Sequence, residues 1–119
     1  MSYLSLANKI RHDELTDTEL IKCLSIPNVT VIQHAILKIM ERKMQDPYIC
    51  TKLIEYSGAM DPKFKILGLC RLGHLAIYAL NTLGYTNEYR AMYVKMADED
   101  KEQVDLLEKA LGFSEKENK

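Results

Sequence analysis

Residues 61–84, DPKFKILGLCRLGHLAIYALNTLG, decide how the rest of the chain is read. Asp61 can cap a helix, because its side-chain oxygen can accept one of the amides that the first turn leaves free. Pro62 then falls at the first helical position, where its missing N–H costs nothing. Gly84 supplies a left-handed stop. Together they predict one helix of about 22 residues, roughly 33 Å long at about 1.5 Å per residue. Nearly every position in it is apolar or small, so it must be covered on most sides. Lys63, Lys65, Arg71 and His74 interrupt the run and exclude a membrane span. The expectation is a central buried helix.

The flanking segments carry their own punctuation. A short first helix over residues 2–12 places Leu6 and Ile10, or Tyr3, Ala7 and Ile10, on one face. Thr16 and Glu19 form a capping box, with Leu15 and Leu20 in the positions of a hydrophobic staple, ahead of a helix from Asp17 to about Ser25. Asn28 opens a third helix that reaches about Gln45. Asp46-Pro47 opens a fourth that ends at Gly58. Thr86 or Asn87 opens a sixth, to about Ala97. The last starts at Asp98-Glu99-Asp100, negative charges at its positive end, and stops at Leu111 before Gly112. Residues 113–119 read as a frayed tail. No segment shows the alternation of a strand. The prediction is all-α: about seven helices in antiparallel pairs within one domain, 1–119, as a short solenoid or an irregular bundle.

A resemblance supports the solenoid form. Asp61-Pro62-Lys63-Phe64-Lys65, then Gly68, Cys70 and Leu72-Gly73, is similar to the HEAT-repeat pattern. The openings of the third and fifth helices lie 35 residues apart, and a further 35 reaches the last. The resemblance implies a stack of helix pairs acting as a binding scaffold, and names no partner.

Composition narrows the function. With 16 basic against 17 acidic residues the net charge is −1, which disfavours nucleic-acid binding. Cys23, Cys50 and Cys70 form no CxxC pair and read as reduced thiols. The first residues lack a signal-peptide pattern, so a cytoplasmic location is expected. No nucleotide-loop, nucleophile-elbow or HExxH motif occurs, and His12, His34 and His74 lack carboxylates at ligand spacing. The expectation is therefore no catalysis, no cofactor and no metal, and no residue set points to a small-molecule substrate.

Arg71, His74, Tyr78 and Asn81 recur at three- and four-residue steps and would form one polar stripe on the central helix, either exposed to solvent, satisfied within the fold, or lining a groove. His34, Lys38, Glu41 and Gln45 form a second line on the third helix. If the long helices lie side by side, the two lines border one docking face for a protein partner or a second copy. Arg71 and Tyr78 would be its anchors. The leading expectation is a small binding module, with an inhibitor or immunity-type protein as one form. The alternative is a DNA-associated regulator using a helix-turn-helix-like segment around residues 16–45. Its recognition helix is poor in Arg and Lys. Tyr85, Tyr89 and Tyr93 read as a half-buried edge of the core.

Overall fold

Helix starts follow the side chains that can stand in for a missing backbone partner. In the computed structural model, which describes residues 2–67 and 69–112, α1 (Tyr3–Arg11) begins after Ser2, whose hydroxyl accepts from the Ser5 N–H. The expected capping box opens α2 (Asp17–Cys23): Thr16 Oγ1 accepts from the Glu19 N–H at 3.2 Å, and Glu19 Oε1 accepts from the Thr16 N–H at 2.8 Å. Asn28 caps α3 (Val29–Arg42), and Asp46 caps α4 (Pro47–Tyr56). Helices α6 (Thr86–Tyr93) and α7 (Asp98–Leu111) start without a side-chain cap. Gly112 ends α7 in the left-handed conformation at φ 65°. α3 stops earlier than Gln45 because Lys43 turns left-handed at φ 55°. The expected frayed tail, 113–119, lies outside the described residues.

The long helix is the main correction. Asp61 caps as expected, but only a 3-10 turn, Pro62–Phe64, follows it. The chain then forms β1 (Lys65–Leu67) and β2 (Cys70–Arg71), an antiparallel pair with Lys65 opposite Arg71 and Leu67 opposite Cys70. Helix α5 starts at Leu72 and runs to Thr82. A continuous helix would have held two interior glycines, Gly68 and Gly73, at about 1 kcal/mol each relative to alanine. Instead the Gly73 N–H donates to the Ala59 carbonyl at 3.0 Å, tying the helix start to the chain leaving α4. A Cβ on Gly73 would stand 2.9 Å from the Met60 Sδ and 3.0 Å from the Ser57 carbonyl oxygen. A methyl group there would make Met60 and the Ser57 carbonyl give way. Gly84, at φ 90°, makes the expected stop.

The C-terminal half of the stretch is the expected buried helix. Nine consecutive residues, Leu72–Leu80, are buried. α5 packs against α3, α4, α6 and α7, while α1 and α2 pack on α3. Such all-round cover is what a helix without a polar face requires. Tyr85, Tyr89 and Tyr93 pack half-buried at the edge of this core. Apart from the short hairpin, the architecture is all-α, with seven helices among the described residues. Arg42 fastens the α1–α2 link to α3: its guanidinium donates to Asp13 Oδ1 (2.5 Å), Asp17 Oδ1 (2.7 Å) and the Leu15 carbonyl (2.7 Å). That guanidinium holds the Asp13 carboxyl below its ordinary range. No helix among the described residues is long and apolar enough to cross a membrane.

Candidate functional site

The predicted stripe on the central helix does not form one surface. His74 and Tyr78 are 0% and 1% exposed, because α5 is enclosed on the side where they point. Asn81 is half-buried near the helix end, and Arg71 sits ahead of the helix, in β2. A docking edge made of all four is therefore excluded by burial.

His74 has a structural task instead. Its Nδ1 accepts the Arg71 N–H at 2.9 Å, and its Nε2 lies 2.9 Å from Asp100 Oδ1. A backbone N–H can only donate, so Nδ1 holds a lone pair and the ring proton is on Nε2, donated to Asp100. The imidazole thus takes the part that Glu19 plays at the start of α2, and ties the start of α5 to the first turn of α7. Both ring nitrogens are occupied. Neither can take a proton from a substrate without breaking one of these bonds.

Arg71 lines a second concavity, of about 390 Å³, between the hairpin and α7, with Met60, Leu69, Glu99, Asp100 and Gln103. Leu69 stands out here at 73% exposure. Nearby, Cys70 Sγ lies 3.2 Å from Gln103 Oε1, and burial pushes its thiol above the ordinary range, which leaves it a poor nucleophile. Sequence reasoning missed Leu69 and Gln103 because both depend on the hairpin. The available signal was Gly68-Leu69, a Gly-X pair between two short β-prone runs.

The second predicted line does come together. His34, Lys38 and Glu41 open into a groove of about 230 Å³ between α1 and α3, which Ile10, Arg11 and Leu37 complete. Lys38 is nearly covered. Its Nζ donates to Glu41 Oε1 at 3.1 Å and lies 3.9 Å from Asp13 Oδ1. His34 is half-buried, and its pKa is lowered by burial first and by the Arg11 charge second. Gln45, next on the same line, lies beyond the end of α3 and donates instead to the Leu83 carbonyl. The contribution of α1 was not legible, since nothing local pairs Arg11 with a helix 20 residues on.

Among the described residues, no group of three or more His, Cys, Asp or Glu side chains converges as a metal site would require. The chain matches no protein-family model, no curated protein and no solved structure.

Proposed function

We propose that this chain is a small helical module without chemistry of its own, which holds a protein partner in the groove between α1 and α3. The observation that carries the reading is the convergence there of Arg11, His34, Lys38 and Glu41 around apolar Ile10 and Leu37. Apolar contact framed by polar groups that hydrogen-bond is the usual anatomy of a protein interface. A non-catalytic role is supported by His74, the best placed base, having both nitrogens engaged inside the fold. The HEAT-like pattern of residues 61–73 points to the same class of scaffold, here folded as a 3-10 turn and a hairpin ahead of α5. An inhibitor or immunity-type protein acting in the cytoplasm is the form that fits this reading best.

The DNA-bound alternative draws less support. α3 leaves only Thr30 and Glu41 fully exposed, and neither is basic. Arg42, at its end, is committed to Asp13 and Asp17.

Affinity capture from the native cell tests the proposal, using the natural chain, Arg11→Glu/Glu41→Lys, and Lys109→Glu as a remote control. Arg11 and Lys109 are exposed, and because Glu41→Lys also takes the partner of Lys38, thermal melting checks that the groove pair keeps the fold. The expected result is one captured protein, lost with the groove pair and kept with the control. Equal capture by all three would remove the groove from the function.

A further inference from the structure

Resting on the docking reading above, we infer that the α1–α3 groove receives an aspartate or glutamate carboxylate from the partner, beside an apolar residue. The first support is charge. Lys38 is neutralised by Glu41 at 3.1 Å, and Asp13 by Arg42 at 2.5 Å. Arg11 has no carboxylate within ion-pair distance among the described residues; its guanidinium reaches only the Asn8 side-chain oxygen, at 3.4 Å. With Asp17, the other carboxylate on Arg42, the cluster is neutral overall, and Arg11 is the cation in it that has no carboxylate at ion-pair distance.

The second support is hydrogen bonding. His34 has no hydrogen-bond partner among the described residues, yet no side-chain nitrogen or oxygen there is both buried and unsatisfied. Its ring nitrogens therefore open to the groove, where an N–H can be offered to an acceptor. Size agrees: about 230 Å³ admits one or two side chains and is below the usual volume of a small-molecule pocket, about 300 Å³ and upward. Half-buried Leu37 supplies the surface for the apolar neighbour, over a floor formed by Ile10, which is 1% exposed.

A proton balance follows. The charged groups around His34 are Arg11 from α1, Lys38 and Glu41 from α3, and Asp13 from the link beyond α1. The groove lining takes nothing from α2 or α5. Without ligand, burial and Arg11 keep the imidazole neutral to lower pH than usual. A carboxylate in the groove favours the imidazolium, so binding takes up as much as one proton from solvent. Affinity then rises as pH falls between the His34 midpoints of the bound and free states, by at most about tenfold per pH unit. Below the free-state midpoint the affinity levels off, and it falls where the ligand carboxylate itself protonates, near pH 4.3 for a glutamate side chain, an approximate value.

The test is an NMR titration of the full chain with three probes: N-acetyl-Glu-Leu amide, N-acetyl-Gln-Leu amide and inorganic phosphate. The glutamyl probe should shift Ile10, His34 and Leu37 saturably and raise the His34 midpoint, whereas the glutaminyl probe should do neither. Arg11→Gln should weaken the glutamyl probe by about tenfold or more, the usual loss of a charge-assisted bond. His34→Gln should remove the pH slope. Equal response to both peptides, tighter binding of phosphate, no response to any probe, or an unmoved His34 midpoint would each overturn the assignment. Capture that depends on Arg11 and Glu41 while the two peptides behave alike would remove only the carboxylate. Capture indifferent to both residues would remove the docking reading itself.

Discussion

Residues 61–71 and 72–82 are adjoining parts of one apolar run, yet they meet different surroundings. The first part forms a 3-10 turn and a small hairpin, with Asp61, Pro62, Lys63, Lys65 and Leu69 all exposed. The second is a helix with four other helices around it. Helical spacing is present in both. What separates them is the amount of apolar surface waiting to cover each part. Burial contributes roughly 1.5–3 kcal/mol for each large side chain taken out of water, far more than local propensity decides. Leu72, Leu75, Ile77, Tyr78 and Leu80 collect that gain. Lys63, Lys65 and Arg71 could not have entered the same environment without partners.

The largest effect should separate the two parts directly. Tyr78→Ala, deep in α5, should lower stability by about 4 kcal/mol in urea unfolding, the usual cost of emptying an aromatic site. Phe64→Ala, half-buried ahead of the hairpin, should lose about 1 kcal/mol, because a partly exposed ring gives up less. Equal losses would erase the contrast.

Gly73→Ala sharpens the boundary by its sign. In an open helix this change stabilises by about 1 kcal/mol. Here the new methyl group meets Met60 and the Ser57 carbonyl, so a loss of about 1–3 kcal/mol is expected from overpacking. A gain in melting temperature would mean that α4 does not close on the start of α5.

The smallest effect belongs to Leu69→Ser, at the exposed end of the hairpin. Stability should change by no more than about 0.5 kcal/mol. Native-state hydrogen exchange should then show α5 amides opening only with the whole molecule and those of β1 and β2 opening earlier. Matching protection in the two parts would place the hairpin within the core unit.

The candidate site was partly legible. His34, Lys38 and Glu41 share a face because three- and four-residue steps always do, and the structure keeps that face open. The other line failed for a reason equally general. Periodicity says which residues point the same way, and says nothing about whether that way is solvent. Around α5 it is interior.

Sequence alone determined the features that act within about four residues: the Thr16–Glu19 box, the caps at Asn28 and Asp46, and the stops at Gly84 and Gly112. Each is a backbone group answered by a near neighbour, so no knowledge of the fold is needed. Tertiary structure alone decided where α5 begins and what its polar residues do. His74 can hold the Arg71 amide as it does because Asp100, 26 positions away, takes its other nitrogen. Likewise Arg11 meets His34 only once α1 has been laid on α3. Contacts of that span exist only after the core has closed.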